Sequence, residues 1–218
     1  MTNLNYQKNN FCILLDPRNN WIKSYLEDSS LEIDILYDFD KTQRFEVCFV
    51  LGYTKILDFN KLYPKCFYVT IHESDLPLGK GFSPIQWQIL NDKKNINVCL
   101  IEIAKEVDSG DILLRDVIKF DGTELYDEIR FKQAKASISL IRKFIEEYPN
   151  FSREEQSGDE SFFKFRNKES SNLDINKSIV DQFNLLRICN NEEWPAFFKY
   201  KGEKYIVKIF KESNLNNK

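Results

Sequence analysis

The sequence predicts an α/β protein built on an open, mostly parallel sheet flanked by helices, with a small C-terminal helix plus β-hairpin appendage. Short apolar runs alternate along the chain with stretches whose apolar residues recur at helical spacing. One run, Phe45 to Leu51, is apolar almost throughout. Such runs are typical of strands buried on both faces of a parallel sheet.

Composition indicates a compact globular protein. Hydrophobic residues make up 42% and aromatic residues 14% of the 218 residues. The net charge of -3 and the pI near 5.5 give no strong reason to expect nucleic acid as a partner. We see neither a signal peptide nor an apolar stretch near the roughly 20 residues that span a bilayer, so we expect no membrane partner. Five cysteines without a CxxC pair indicate free thiols in the cytoplasm and no metal site.

The first half of the chain is predicted to contain four strands and two helices. The predicted strands are Phe11 to Leu15, Leu31 to Tyr37, Phe45 to Leu51 and Cys66 to Ile71. The first helix contains Trp21 and Leu26, which lie at helical spacing after a turn. The second helix begins at Pro84, with Ser83 as the expected N-cap.

In the second half, Ile96 to Ile103 and Ile112 to Phe120 alternate apolar and polar residues, which predicts two strands joined by the acidic loop AKEVDSGD. A long amphipathic helix from Thr123 ends near Pro149. The polar 152–178 segment is predicted to be a loosely ordered connection. The remaining predicted elements are a short helix, Ile179 to Cys189, and a hairpin of Ala196 to Tyr200 with Lys204 to Phe210. We therefore divide the chain into a main domain, 1–150, and a linker with the small C-terminal region, 151–218.

The only histidine in the sequence, His72, follows an apolar run that leads into a turn rich in glycine and proline. An imidazole exchanges a proton readily near neutral pH, so His72 could serve as a general base. It could equally be a packing or hydrogen-bonding residue at the end of a strand. The acidic loop supplies Asp108 and Asp111. An aspartate there could orient an imidazole or simply stabilise its own loop.

A stretch with two glycines and a lysine, Leu78 to Ser83, stands directly before the helix predicted at Pro84. Free backbone amides at the start of a helix favour an anion, so the stretch could bind phosphate. Ordinary turns have the same composition, and the stretch alone therefore assigns no ligand.

Together these motifs resemble a known family. "HESDLPLGKGFSP" followed by "VDSGDI" resembles the pattern of the folate-dependent formyltransferases, Asn-x-His-x-Ser-x-Leu-Pro, a glycine loop, a Pro-led helix and Asp-x-Gly-Asp. The separation of 36 residues between positions 72 and 108 matches the family. Ser74, Leu76, Pro77, Gly81 and Pro84 fall in register with it. "VLGYTKIL" (Val50 to Leu57) resembles the segment that lines the folate pocket, so the resemblance covers about Phe11 to Pro149.

The resemblance implies a Rossmann-like catalytic domain that transfers a formyl group from 10-formyltetrahydrofolate to an amine through an Asn/His/Asp set. His72 and Asp108 carry over directly, but Thr70 stands at the asparagine position. An asparagine amide would donate to the oxyanion, and loss of such a donor can lower the rate roughly 10²- to 10³-fold. Thr70 could fill the role in part, protonated His72 could stabilise the oxyanion, or the protein could be a slow or inactive relative. We favour the first two together.

The resemblance implies residues at the pterin: Tyr53, Lys55, Ile56 and Leu57 by their side chains and Ala104, Lys105 and Val107 by their backbone. Physical reasoning adds residues at the second substrate. Lys80, Gly81 and Ser83 could supply a cation and amides for a diphosphate, and Trp21 could stack on a sugar or base. The apolar members and Trp21 could equally be core residues.

Members of the family formylate initiator methionyl-tRNA, glycinamide ribonucleotide or an amino sugar carried on a nucleotide. The tail, "KSIVDQFNLLRI" followed by "WPAFFKYKGEKYIVKI", is similar to the end of a bacterial nucleotide-sugar N-formyltransferase group, and the tRNA enzyme carries a larger C-terminal barrel and a basic surface. We therefore expect a dTDP- or UDP-linked amino-deoxy sugar from O-antigen, other lipopolysaccharide or flagellin glycan synthesis. Glycinamide ribonucleotide and a non-catalytic binding relative stay open as alternatives. The aromatic-rich hairpin is a candidate homodimer interface.

Overall fold

The computed structural model describes residues 10–19, 21–53 and 57–212. Its strands are β1 (Phe11–Leu15), β2 (Asp34–Leu36), β3 (Val47–Leu51), β4 (Phe67–His72), β5 (Lys80–Gly81), β6 (Asn95–Glu102), β7 (Ile112–Lys119), β8 (Phe162–Phe163), β9 (Ala196–Tyr200) and β10 (Glu203–Val207). Its α-helices are α1 (Lys23–Glu27), α2 (Pro84–Leu90), α3 (Tyr126–Glu147) and α4 (Phe183–Arg187). Short 3-10 helices cover Phe39–Arg44, Phe59–Lys61, Lys168–Ser171 and Val180–Gln182.

A six-stranded central sheet has the order β2-β1-β3-β4-β6-β7. The first four strands run parallel, and β6 and β7 add antiparallel pairs at one side. The prediction of an open, mostly parallel sheet is confirmed. The edge strand β2 is shorter than the predicted Leu31 to Tyr37, because its residues are only partly buried and it pairs on one side alone.

The sheet buries both faces, as the continuous apolar runs predict. Successive side chains of a strand point to opposite faces. Val69 lies in the core shared with α1, α2 and α3, whereas Tyr68 lies in the core on the other face, with partly buried Phe39, Tyr53 and Leu57 packed against it. The end of β4 therefore has helix α3 on one side and the segment that follows β3 on the other.

Helix α3 is the longest helix and carries the central packing contact. Its start is capped by Glu128, whose carboxylate accepts a 2.8 Å hydrogen bond from the Leu125 amide. The fully buried ring of Phe144 meets Phe49 of β3 edge-on, with ring centres 5.7 Å apart. Helix α2 begins at Pro84 as predicted, but Ser83 is not its side-chain cap: it has φ of 53° and makes no capping hydrogen bond.

The prediction of a loosely ordered 152–178 segment is wrong over its first part. Glu154 exchanges two backbone hydrogen bonds with Ile112 at 2.8 and 2.9 Å, which extends the edge of the sheet. Strand β8 then pairs parallel with β5, and the Ser161 hydroxyl accepts a 2.8 Å bond from the Gly79 amide. The segment is polar because it bonds through its backbone and short side chains to loops of the main domain.

The C-terminal region contains the predicted hairpin, β9 and β10, and the predicted helix is split into a 3-10 turn and α4. Arg187 at the end of α4 is buried and donates a 3.1 Å bond to the Glu124 carbonyl before α3. This contact ties the C-terminal region to the main domain. No helix in the described ranges is long and apolar enough to span a membrane.

Truncation of Phe144 tests the packing of α3 on the sheet. Phe144→Ala should lower the free energy of unfolding by about 3–5 kcal/mol, because it leaves a cavity among buried rings. Phe131→Ala removes the same atoms from a ring of the same helix that is 54% exposed, and should change stability by less than about 1 kcal/mol. Urea unfolding measures both values, and equal losses would contradict the assigned core.

Candidate functional site

A cavity of about 420 Å³ opens at the C-terminal end of β4. Its walls come from the turn after β1, the ends of β3 and β4, the start of α2, the loop between β6 and β7, and α3. The sequence-predicted residues that line it are Trp21, Tyr53, Leu57, Thr70, His72, Gly81, Ser83, Ala104, Lys105, Val107 and Asp108. Lys55 and Ile56 lie outside the described residues. The fold thus gathers most of the expected site residues around one cavity.

His72 is the last residue of β4 and is 5% exposed. Its Nε2 lies 2.7 Å from the Gly79 carbonyl, and because a carbonyl only accepts, this nitrogen carries a proton. Its Nδ1 lies 3.4 Å from Oδ2 of Asp108, which also accepts a 2.8 Å bond from the Gly81 amide. Nδ1 is therefore the ring nitrogen that faces the Asp108 carboxylate.

The glycine loop holds this pair rather than an anion. Gly79 and Gly81 have φ of 74° and 94°, and a Cβ at Gly81 would lie 2.6 Å from the Phe163 carbonyl oxygen. Lys80, expected to bind substrate phosphate, is 2% exposed and its ammonium bonds the Glu160 carboxylate. It does not line the cavity, because the parallel pairing of β5 with β8 directs it into the 152–178 segment.

Thr70 lines the cavity, but its hydroxyl proton is already used. Oγ1 donates a 2.8 Å hydrogen bond to the Val50 carbonyl on the neighbouring strand β3. The hydroxyl therefore presents lone pairs, not a donor, to the cavity. The expectation that Thr70 partly replaces an asparagine amide is not supported by this geometry.

The loop that carries Asp108 is held by Gln156, a residue that the sequence did not indicate. Its Nε2 donates 2.8 Å bonds to the carbonyls of both Asp108 and Gly110. Gly110 passes so close to Glu102 that a Cβ would lie 1.9 Å from the Glu102 carbonyl oxygen. Gln156 belongs to the segment predicted to be loosely ordered, and no local pattern marks it.

A chain of polar side chains lines the α3 side of the cavity. Gln133 donates through Nε2 to the Glu73 carboxylate, and its Oε1 accepts a 2.7 Å bond from Arg130. The Arg130 guanidinium also lies 4.5 Å from the centre of the Trp21 ring, so one side of the indole contacts a cation. Burial raises the pKa of the Glu73 carboxyl, although His72, Gln133 and Arg130 act in the opposite direction.

Two patterns could have indicated this group. Glu73 follows His72 directly, and Arg130 and Gln133 are polar residues three positions apart in a helix whose buried residues are mostly apolar. No three His, Cys, Asp or Glu side chains among the described residues are grouped so that they could hold a metal ion.

Sequence comparison finds formyltransferases. The chain is 28% identical over 177 residues to methionyl-tRNA formyltransferase of Clostridioides difficile, an alignment that covers 79% of this chain and 56% of the relative. It is 30% identical over 166 residues to the bifunctional polymyxin resistance protein ArnA of Wigglesworthia glossinidia brevipalpis, covering 74% and 25%. The chain thus spans about half the length of the methionyl-tRNA formyltransferases it matches. No protein-family model matches it.

Solved structures share the fold. Methionyl-tRNA formyltransferase from Clostridium thermocellum is similar with a TM-score of 0.75 and 20% identity, covering 94% of each chain. HypX from Aquifex aeolicus in complex with tetrahydrofolic acid has a TM-score of 0.75 at 14% identity, covering 93% of this chain and 38% of HypX. A 4-N formyltransferase from Francisella tularensis has a TM-score of 0.67 at 19% identity, covering 91% and 84%.

The raised pKa of Glu73 predicts a pH-dependent stability. The unfolded carboxyl loses its proton near pH 4, about the ordinary value, whereas the folded carboxyl holds it to higher pH. Stability therefore falls as pH rises through this window, and Glu73→Gln should be more stable than the wild type at pH 8. The difference should shrink towards pH 4 in urea unfolding. Glu146→Gln, on the exposed side of α3, should show no such trend. A difference for Glu73→Gln that is the same at every pH would contradict the assignment.

Proposed function

The chain belongs to the folate-dependent formyltransferase family, and from this premise we propose that it transfers a formyl group from 10-formyltetrahydrofolate to the amine of a nucleotide-linked amino sugar. The observation that carries the proposal is the His72 and Asp108 pair, which meets in a cavity large enough for a small-molecule site.

The side of the cavity next to β3 suits the folate. Tyr53 and Leu57 offer half-buried apolar surface there, and the backbone of Ala104, Lys105 and Val107 runs along the same cavity. Exposed backbone amides and carbonyls beside an apolar wall can bind the edge and the face of a pterin. Lys55 and Ile56, proposed for the same subsite, lie outside the described residues.

When bound, 10-formyltetrahydrofolate supplies an activated formyl carbon. His72 holds a proton at Nε2 against the Gly79 carbonyl and exchanges the second one at Nδ1. In its protonated form it donates the Nδ1 proton, whose 3.4 Å separation from Asp108 is long for a hydrogen bond, to the oxyanion that develops on the formyl group. Afterwards it returns a proton to the leaving nitrogen. Asp108 stabilises the charged ring and fixes its orientation. Of the accounts left open by Thr70, the geometry favours protonated His72 as the oxyanion donor.

The α3 side of the cavity suits the amino sugar. It combines an aromatic ring, Trp21, with a cation, Arg130, and a carboxylate, Glu73. A sugar ring packs well on an indole, a guanidinium binds phosphate oxygens, and a carboxylate binds an ammonium group. Gly81 and Ser83 also line the cavity, whereas Lys80 does not and is therefore left out of the proposed substrate contacts.

Two further features support a nucleotide sugar. The net charge of -3 disfavours tRNA as the acceptor. The five cysteines are free and buried, which fits a protein of the reducing cytoplasm that supplies a dTDP- or UDP-linked sugar for O-antigen or flagellin glycan. Methionyl-tRNA is the second candidate acceptor, because relatives that are 28% and 30% identical to this chain are named methionyl-tRNA formyltransferases.

An acceptor screen tests the proposal. The protein is incubated with 10-formyltetrahydrofolate and, in separate reactions, with dTDP- and UDP-linked amino sugars, glycinamide ribonucleotide and methionyl-tRNA. Tetrahydrofolate release and the mass of the acceptor report turnover. We expect formylation of a nucleotide amino sugar. Turnover with only the ribonucleotide or only the tRNA would overturn the proposed acceptor, and turnover with none would overturn the activity.

Removal of either member of the pair should abolish most turnover. His72→Ala and Asp108→Ala should each lower kcat by about 10²- to 10⁴-fold, because proton transfer and oxyanion stabilisation are lost. Calorimetric binding of the nucleotide sugar should change little. Asp159→Ala, an exposed aspartate outside the cavity, is the matched control. A kcat near that of the wild type in either variant would contradict the mechanism.

Thr70 separates the accounts of the oxyanion donor. Thr70→Val removes the hydroxyl but keeps the shape, and kcat should stay within about tenfold of the wild type because the hydroxyl proton is bonded to Val50. Thr70→Asn introduces an amide donor and should raise kcat. A loss of about 10²-fold or more in a folded Thr70→Val protein would show that Thr70 is the donor after all.

A further inference from the structure

Glu73 is a carboxylate of the cavity to which the mechanism above gives no part in proton transfer. It follows His72 directly, lines the same cavity and is half-buried. The two side chains have different neighbours: His72 contacts Gly79 and Asp108, whereas Glu73 bonds Gln133 of α3. The end of β4 thus places an imidazole, His72, and a carboxylate, Glu73, next to each other in the chain with different partners.

Glu73 is held both at its carboxylate and at its backbone. Gln133, itself buried, donates to one carboxylate oxygen, and Arg130 donates to Gln133 in turn. Gln88 of α2 donates a 2.6 Å bond to the Glu73 backbone carbonyl, which fixes the main chain at the same residue. A residue in this setting has little rotamer freedom, so its carboxylate faces the cavity in one defined position.

An amine acceptor brings a chemical requirement that fits this carboxylate. A free sugar amine is largely an ammonium ion near neutral pH, and an ammonium ion has no lone pair with which to attack a formyl carbon. One proton must therefore leave before the carbon–nitrogen bond forms. A buried carboxylate is the group that both binds an ammonium ion and accepts its proton.

We propose that Glu73 binds the ammonium group of the acceptor sugar on the α3 side of the cavity and accepts the proton that must leave before formyl transfer. The inference rests on the proposed function and adds the residue that selects and activates the amine. It also gives the two residues different proton transfers. Glu73 accepts a proton from the incoming nitrogen, whereas His72 serves the oxyanion and the leaving nitrogen.

The proton balance is complete without a further reactant. The ammonium gives one proton to Glu73 and becomes an amine, which adds to the formyl carbon and gives a tetrahedral oxyanion. The bond from that carbon to the folate nitrogen then breaks as the carbonyl re-forms. The second amine proton ends on the folate nitrogen by way of His72. Glu73 then loses its proton to solvent, so the cycle releases one proton, one formamide and one tetrahydrofolate.

The titration of Glu73 agrees with this role. The charged and titratable groups that act on it are His72 from β4 and Arg130 from α3, and both favour its ionised form. Burial outweighs them and raises the pKa of the carboxyl, which brings it towards the range where it can take a proton from an amine.

Binding of two matched ligands tests the proposal without turnover. Calorimetry at pH 7 compares a dTDP-linked amino-deoxy sugar with the same nucleotide sugar carrying a hydroxyl in place of the amine. The wild type should bind the amino sugar about 10- to 100-fold more tightly, as expected for a hydrogen bond to a charged group. Glu73→Gln should bind both equally, and Glu146→Gln should behave as the wild type. A preference that persists in Glu73→Gln would overturn the proposal.

The pH dependence of turnover gives the second readout. At pH 7, kcat/KM of Glu73→Gln should be lowered about 10²-fold or more, and the deficit should narrow as rising pH deprotonates the free amine. An equal deficit at every pH, or none, would overturn the role of Glu73 while the proposed function stands. A wild-type protein that neither binds nor formylates any nucleotide amino sugar would overturn both.

Discussion

The 3.4 Å contact between His72 Nδ1 and Asp108 Oδ2 is the interaction around which the site is built. Its two residues come from parts of the chain 36 positions apart, and neither is held by its own element alone. The Gly79 carbonyl fixes the imidazole, the Gly81 amide fixes the carboxylate, and Gln156 fixes the loop behind it. The sheet, the glycine loop and the 152–178 segment therefore act together on one pair of side chains.

The cavity has different walls on its two sides. Successive side chains at the end of β4 face different sides: Thr70 bonds Val50 of β3, whereas Glu73, directly after the strand, bonds Gln133 of helix α3. A transferase for two small substrates must bring both to one carbon while excluding water. A strand end with a different wall on each side suits this arrangement.

Much of this organisation is predictable from local sequence. Apolar runs indicate β1, β3 and β4, and the resemblance to the formyltransferases implies the pair of His72 and Asp108. Most of the predictions that are wrong concern residues whose partners are distant in the chain. Lys80, predicted to bind phosphate, pairs instead with Glu160, 80 residues away, and is a buried structural residue. No local sequence pattern indicates that Gln156 and Ser161 bond loop carbonyls and amides, because only the fold brings these groups together. Ser83 matches the N-cap pattern, yet its left-handed backbone prevents the capping bond.

The most direct test of the account is a crystal structure of the protein with tetrahydrofolate and a nucleotide-linked amino sugar bound together. The account predicts the pterin against Tyr53 and Leu57, the sugar against Trp21, and the amine nitrogen between Glu73 and His72. A sugar bound with its amine on the β3 side, or beyond hydrogen-bond reach of both side chains, would contradict it.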